Sequence, residues 1–194
     1  MQAHLAARDI ACRRGDRLLL RGFSTELKAG EALHVTGPNG CGKSSLLRIL
    51  AGLLRAEAGI VERTGAIALI DERTALAENR TLEQALAVWS RLDGFAGEQG
   101  EALRALRLDR LRDIPVRYLS TGQRKRAALA RLLWQNAAVW LLDEPLNGLD
   151  DEGIAAVVKL IAAHLGKGGV CVVTSHRMLE VPNLKRCDLT RFTA

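Results

Sequence analysis

Gly37-Pro38-Asn39-Gly40-Cys41-Gly42-Lys43-Ser44 is the stretch that decides the fold of this chain. It fits the phosphate-loop pattern G-x-x-x-x-G-K-[ST], in which glycines let successive backbone N–H groups point at phosphate oxygens. A short strand is predicted just before it, at residues 32–36, and a helix with a broad apolar stripe is predicted just after it. A chance glycine-rich turn is the alternative, and these flanking elements argue against it. The stretch therefore predicts phosphate binding at a helix N-terminus in an α/β fold.

Two acids at the end of a hydrophobic run complement this loop. Asp143 and Glu144 follow a predicted strand at residues 139–142. Because a buried carboxylate pair is costly, a purely structural role is a weak alternative. We expect Asp143 to hold Mg²⁺ through its water shell and Glu144 to act as general base toward the attacking water. In the loop, Lys43 is expected to reach the β- and γ-phosphates, and Ser44 to ligate the Mg²⁺.

The bulk composition describes one globular domain. The chain has 194 residues, of which 48% are hydrophobic and 26% charged, enough for a sizeable core. No apolar run approaches the length that crosses a bilayer, and the first residues have no continuous apolar segment of the kind found in secretory signals. Any membrane role is therefore expected to come through a partner.

The cysteines and the basic residues are less informative. None of the four cysteines lies in a CxxC pair, so free thiols are expected, and Cys41 is interpreted as a small residue in the loop rather than a nucleophile. The net charge is +6, with much of the basic excess between residues 104 and 131. A solvated helical surface, contact with anionic lipid and contact with nucleic acid all remain open for this segment.

The pattern along the chain alternates strands and helices, with one helical interruption. Two strands with tight turns are expected at 3–12 and 17–27, and a buried strand at 67–70. Residues of about 74–118 are predicted to be mostly helical, with a helix start at Thr81 and a second helical stretch at 102–111. Helices are predicted to begin at Ser120 and Asp150, and Val170 to Val173 is predicted to be the last core strand.

Ser120-Thr121-Gly122-Gln123 has two interpretations. Ser-x-x-Gln is a capping box, which many ordinary helices use. However, the phosphate loop, this tetrapeptide, the Asp143-Glu144 pair, Asp150 and His176 occur here in that order. In this order and spacing, and over nearly its whole length, the chain resembles the ATP-binding-cassette (ABC) ATPases.

The resemblance assigns roles residue by residue. The stretch from Gly37 through Ser45 matches the family's Walker A loop, which would make Ser45 part of the ATP site. The stretch from Leu119 through Gln123 matches the signature loop, with Thr121 in place of the usual glycine; Val139 to Glu144 matches Walker B and Asn147 to Asp150 the D-loop. His176 matches the switch histidine near the γ-phosphate.

In this family two subunits pack head to tail, and each ATP lies between one Walker A loop and the other subunit's signature. The resemblance thus implies a homodimer or a paired ATPase subunit, with ATP and Mg²⁺ as cofactors. Ser120, Gly122 and Gln123 would contact the ATP held by the partner. Lys43, Glu144 and His176 would be the catalytic residues.

The implied fold is α/β: a P-loop NTPase of ABC ATPase type, with a mixed β core, an N-terminal antiparallel β subdomain and an inserted α-helical subdomain. A single ABC ATPase domain would cover residues 1–194, with the helical subdomain at about 74–118.

Two positions depart from the family pattern. The first-turn region reads Arg13-Arg14-Gly15-Asp16 and has no aromatic residue to stack on adenine, so an arginine plane is a candidate for that role. The family has a glutamine after the strand at 67–70, where this chain has Asp71-Glu72-Arg73. Glu72 is expected to offer an oxygen to Mg²⁺ or water, and this loop normally links ATP to the membrane partner.

Residues 113–117, 124–132 and 139–145 resemble the ATP-binding subunit of the bacterial haem exporters of cytochrome c biogenesis. This implies integral membrane permease subunits as partners, a peripheral place on the cytoplasmic face of the bacterial inner membrane, and no direct contact with nucleic acid. The alternatives are the ATPase subunit of another exporter, a soluble ABC ATPase acting on the ribosome or nucleic acid, and a non-catalytic nucleotide-binding regulator. Intact Lys43, Glu144 and His176 argue against the last.

Overall fold

Two β-sheets organise the protein. The computed structural model describes residues 2–71, 75–95, 97 and 99–193. The first sheet is antiparallel, in the order β2-β1-β4, and consists of β1 (His4–Arg14), β2 (Arg17–Lys28) and β4 (Ala58–Thr64). The second is parallel, in the order β5-β6-β7-β3-β8, and consists of β3 (Ala32–Thr36), β5 (Ile67–Ile70), β6 (Val139–Asp143), β7 (Val170–Thr174) and β8 (Leu184–Asp188).

The helices lie between these strands in the chain. They are α1 (Lys43–Ala51), α2 (Leu82–Leu92), α3 (Gly100–Ala105), α4 (Thr121–Ala130) and α5 (Asp151–Gly166), with short 3₁₀ turns at Asp109–Leu111, Val116–Tyr118, Arg131–Leu133 and Leu189–Phe192. None of the helices in the described residues has both the length and the apolar character that a membrane crossing needs.

Alternation along β6 divides the core into two clusters. Val139 and Leu141 pack with α1 and the antiparallel sheet, whereas Trp140 and Leu142 pack with the helical layer that includes α5. Successive side chains of a strand point to opposite faces, so a strand covered on both faces is apolar throughout. All five residues of β6 are accordingly buried. This architecture confirms the predicted ABC ATPase fold.

The carboxyl end of the chain corrects one prediction. Val170–Thr174 is not the last core strand, because Leu184–Asp188 adds a further parallel strand beside β3 at the sheet edge. Its sequence, Leu-Lys-Arg-Cys-Asp, is largely polar since an edge strand keeps much of its surface in water. No apolar run therefore marked it. The strand Ala58–Thr64 has an equally exposed pattern and was not predicted either.

In the helical insertion, the start of the first helix agrees with the prediction, whereas the second helix differs from it. The helix α2 begins at Thr81 as predicted, and the structure shows that Thr81 and Gln84 form a capping box there. The second helical stretch is shorter than the predicted 102–111: α3 ends at Ala105, and Arg107 has a left-handed φ of 55°. A residue in that conformation cannot continue a right-handed helix, so only a 3₁₀ turn follows.

Asp93, just after α2, lies at the centre of a group of polar side chains that joins the helical insertion to the end of α4. Its carboxylate accepts hydrogen bonds from Arg131 Nη2, Trp134 Nε1 and Gln135 Nε2, each at 3.0 Å. The Arg131 guanidinium also lies over the Trp89 ring, 3.7 Å from its centroid. Burial raises the pKa of Asp93, but the hydrogen bonds from Arg131, Gln135 and Trp134 outweigh it, so the net pKa is lowered.

Replacing Asp93 tests this cluster. Asp93→Ala strands three partly buried donors, and we expect it to lower the free energy of unfolding by about 2–4 kcal/mol at pH 7 in urea titrations. Because the folded pKa lies below the unfolded value of about 3.9, the contribution is complete above that pH and is lost as pH falls through the folded pKa. The difference from wild type should therefore shrink in acid. Asp109→Ala, at an exposed carboxylate, is the control and should change stability by no more than about 0.5 kcal/mol.

Candidate active site

The phosphate loop connects β3 to α1. Gly37 has a φ of 145°, and a Cβ there would lie 2.8 Å from Cys41 Sγ. Gly42 is the N-cap of α1 with a φ of 108°, in the left-handed region that glycine tolerates best. Within the described residues no side chain caps this helix, so the N–H groups of its first turn remain available to an anion.

Lys43 is buried beneath the loop. Its Nζ donates hydrogen bonds to the carbonyl oxygens of Gly37 at 2.8 Å and Pro38 at 3.3 Å. The same nitrogen lies 3.7 Å from Glu144 Oε1 and 3.3 Å from His176 Nε2. The lysine thus brings the loop, the Walker B acid and the residue after β7 together around one cation.

Glu144 occupies an unusual position at the end of β6. Its backbone has a left-handed φ of 47°, a strained conformation for a residue with a side chain. Its N–H donates to Thr174 O at 3.1 Å and Thr174 Oγ1 at 3.0 Å, and its carbonyl accepts from Lys125 Nζ at 2.6 Å. Both carboxylate oxygens are buried without a hydrogen-bond partner among the described residues. A carboxylate held in this way retains its full capacity to accept a proton or a hydrogen bond.

Asp143 is held by a residue that the sequence analysis missed. Its Oδ1 accepts a 2.6 Å hydrogen bond from Thr174 Oγ1, and the aspartate is 3% exposed. Thr174 therefore orients both acids, through the side chain of Asp143 and the backbone of Glu144. The only local signal for it is a polar residue at the end of an apolar strand, a weak one.

His176 lies in the loop after β7. Its Nε2 is 3.0 Å from Asn39 Oδ1 and 3.4 Å from Glu144 Oε1. The imidazole therefore touches both the phosphate loop and the acid, and it is half-exposed.

One open pocket of about 520 Å³ is lined by Lys43, Asp143, Glu144 and His176. It includes the expected Ser44, Ser45 and Asn147 of the motifs together with two residues of the β1–β2 hairpin, Arg14 and Leu19. A slightly larger cavity, about 560 Å³, lies around Ala137, Trp140 and Gly169, and Lys43, Asp143, Glu144 and His176 do not line it. We assign the chemistry to the smaller pocket because the charged groups converge there.

The Ser120–Gln123 stretch lies elsewhere on the chain. Ser120 Oγ accepts from Gln123 N at 3.1 Å and Ser120 N donates to Gln123 Oε1 at 2.8 Å, which is the predicted capping box at the start of α4. A Cβ on Gly122 would lie 2.5 Å from Gly148 O, so α4 packs directly on the Asn147–Asp150 loop. In the described part of the chain, neither Ser120 nor Gln123 lines the phosphate-loop pocket.

The altered segment after β5 is only partly described. Asp71 forms a salt bridge with Arg48 of α1 at 3.2 Å. Glu72 and Arg73 lie outside the described residues, and the proposed contact of Glu72 with Mg²⁺ stays a prediction.

Comparison with known proteins agrees with this geometry. Residues 20–147 match the ABC transporter family. The chain is 51% identical to a cytochrome c biogenesis ATP-binding export protein CcmA of Zymomonas mobilis, over 99% of this chain and 87% of that protein. It is 54% identical to the CcmA of Novosphingobium aromaticivorans, over 97% of this chain and 96% of that protein.

Among solved structures, an ABC transporter ATP-binding protein from Pyrococcus furiosus superposes with a TM-score of 0.85, covering 98% of this chain and all of that one at 24% identity, a likeness of fold. The chain therefore belongs to the ABC transporter ATPases, in the family of the cytochrome c biogenesis ATP-binding export proteins.

Proposed function

We propose that this chain is the ATP-hydrolysing subunit of a membrane exporter that moves haem for c-type cytochrome biogenesis. The observation that carries the catalytic part is the buried Glu144 carboxylate, 3.7 Å from Lys43 Nζ and without a hydrogen-bond partner among the described residues. Relatives with 51% and 54% identity are named for export in cytochrome c biogenesis, which supports the transport part.

Each residue has a step in this proposal. Lys43 and the N–H groups of the loop bind the phosphates of ATP, and Glu144 accepts the proton of the attacking water. His176, within reach of both Asn39 and Glu144, contacts the γ-phosphate end of the site. The remaining loop residues from Gly37 through Ser45, with Pro38, Gly40 and Cys41, shape the backbone that cradles the phosphates.

The oxygen donors fit Mg²⁺. Ser44 and Asp143 line the same pocket and offer a hydroxyl and a carboxylate, the ligand types that this hard cation prefers. One oxygen of Asp143 is oriented by Thr174, an arrangement usual for carboxylates around a metal. The bound ion would neutralise charge on the β- and γ-phosphates.

The separate location of the Ser120–Gln123 stretch supports a head-to-tail dimer. In it, Ser120, Gly122 and Gln123 of one copy would face the ATP held by the phosphate loop of the other. The N-terminus of α4 carries partial positive charge, which suits a γ-phosphate. We further propose that residues 1–194 form one ABC ATPase domain with a helical subdomain at about 74–118.

The proposed partners are integral membrane permease subunits, and the proposed location is the cytoplasmic face of the bacterial inner membrane. Direct nucleic-acid binding is not part of the proposal. Several residues of the basic segment are neutralised within the protein: Arg112 lies 3.2 Å from Glu83, Arg124 lies 3.9 Å from Glu78 and Arg131 lies 3.0 Å from Asp93. Such pairing leaves less charge for phosphate backbones.

Glu144→Gln tests the catalytic and dimer proposals together. Removing the base while keeping the shape should lower the rate of ATP hydrolysis by about 10²–10⁴-fold and trap an ATP-bound dimer. Gel filtration with and without ATP detects the dimer. Glu62→Gln, the same chemical change at an exposed residue of β4, should hydrolyse ATP normally. A Glu144→Gln protein that stays monomeric with ATP, both alone and with its membrane partner, would contradict the two-site arrangement.

The transport proposal predicts a phenotype. In a bacterium from which the gene for this chain is deleted, covalent haem on c-type cytochromes should disappear from haem-stained gels. Wild type and Glu62→Gln should restore it, and Glu144→Gln should not. Full haem attachment in the deletion strain would contradict the haem-export proposal and assign the chain to another exporter. It would not contradict the proposal that the chain hydrolyses ATP.

Gly122→Ala tests the packing of α4 on the Asn147–Asp150 loop. The added methyl would approach Gly148 O to 2.5 Å, and a main-chain oxygen can move only if the loop moves with it. Displacing groups that must meet ATP across a dimer by about 1 Å should lower hydrolysis by about 10–100-fold. Gly166→Ala, where nothing lies within 4 Å of the added Cβ, should hydrolyse ATP at the wild-type rate. Equal rates of ATP hydrolysis for the two variants would show that hydrolysis does not depend on this packing.

A further inference from the structure

Lys125 is a buried lysine of α4 whose side chain reaches the residue after β6. It is 5% exposed, and its Nζ donates a 2.6 Å hydrogen bond to the carbonyl oxygen of Glu144. Lysine is rarely buried this far, because its ammonium loses its hydration and needs protein oxygens in exchange. In the part of the chain that the structure describes, Lys125 does not line the phosphate-loop pocket. Its influence on the site therefore passes through the residues that it holds.

The main chain of Glu144 is held on both sides of its Cα. On one side its N–H donates to the carbonyl and hydroxyl oxygens of Thr174, at 3.1 and 3.0 Å. On the other side its carbonyl accepts the short bond from Lys125 and a longer one, 3.3 Å, from the N–H of Asn147 in the turn that follows. The bond from Lys125 is thus the one that ties this carbonyl to another element of the fold.

These main-chain bonds matter because the carboxylate of Glu144 has none of its own. Both of its oxygens are buried and have no hydrogen-bond partner among the described residues. A carboxylate of this kind takes its direction from its backbone. That backbone has a left-handed φ of 47°, a conformation that persists only where the surroundings hold it in place. Removing one of the holding groups should therefore let the carboxylate turn.

We propose that Lys125 is a positioning residue for ATP hydrolysis, which aims the Glu144 carboxylate at the attacking water by holding the Glu144 carbonyl. The inference rests on the proposed function, in which Glu144 is the general base, and adds to it a residue outside the pocket. Misplacing a catalytic group by about 1 Å costs up to about 100-fold in rate. The phosphate loop binds ATP independently of this bond, so the rate should suffer and the affinity should not.

A purely structural role is the competing explanation. In that case the buried lysine only fastens α4 to the end of β6, and its loss would loosen the protein as a whole. Nucleotide affinity and hydrolysis would then fall together. The two roles are separated by measuring the rate and the affinity on the same variants.

Lys125→Met keeps most of the length of the side chain and removes its donors. Its turnover of Mg²⁺-ATP at saturation should be lower than that of wild type by about 10–100-fold. In titration calorimetry it should bind the non-hydrolysable imido analogue of ATP with an unchanged dissociation constant. Lys125→Arg, which keeps cationic N–H donors, should recover most of the hydrolysis. Lys159→Met, the same change at an exposed lysine of α5, is the matched control and should behave as wild type does.

Combining Lys125→Met with Glu144→Gln gives a second test. A residue that acts only by aiming a base has nothing to aim once the base is gone, so the two losses should not add. The double variant should show the residual rate of Glu144→Gln alone, measured in single-turnover reactions with radiolabelled ATP. A structural role for Lys125 predicts a further fall in that rate.

Several outcomes overturn the inference. Wild-type turnover in Lys125→Met would remove Lys125 from the reaction. A Lys125→Met protein whose loss of affinity matches its loss of rate, or which no longer binds the analogue, would make the lysine structural. Failure of the proposed function is distinct from these results. If Glu144→Gln hydrolyses ATP at the wild-type rate, the assignment of the base itself fails, whatever Lys125→Met does.

Discussion

The meeting of parallel strand ends at one edge of the sheet is the constraint on which the site depends. β3, β6 and β7 run side by side, so the loop after β3, the acids at the end of β6 and the histidine after β7 converge. Lys43 makes this convergence tight because its buried ammonium needs both loop carbonyls and the nearby carboxylate of Glu144. A buried cation without these oxygens would be strongly unfavourable, so loop and strand positions depend on each other.

Thr174 gives the carboxylates of Asp143 and Glu144 different hydrogen bonding. It donates to the side chain of Asp143 but contacts only the backbone of Glu144. One carboxylate is thus oriented and partly satisfied, as a metal ligand should be, and the other keeps its oxygens for water. The strained backbone of Glu144, stabilised by Thr174 and Lys125, is the local cost of this division.

The start of α4 and the loop after β6 are linked by direct packing of their main chains. Gly122 at the start of α4 touches Gly148 of the loop after β6, so a shift at either place must move the other. The Asp93 cluster fastens the helical insertion to the segment after α4. Under the dimer proposal, movement of the insertion would therefore reach the surface that faces the partner's ATP.

Local patterns were enough to predict the phosphate loop, the acids at the end of β6, the helix start at Thr81, the capping box at Ser120, and most strands, because each depends on neighbours in sequence. His176 was predicted as a site residue from the family's order of motifs. The edge strand Leu184–Asp188 and the hydrogen bonds that Thr174 makes to both acids were not predictable in this way. Their partners lie far along the chain: Leu184 pairs with Ala32, and Thr174 bonds to Asp143. The sequence by itself determined which chemistry the chain carries, and only the tertiary structure decided which oxygens remain free to perform it, since that depends on contacts between distant strands.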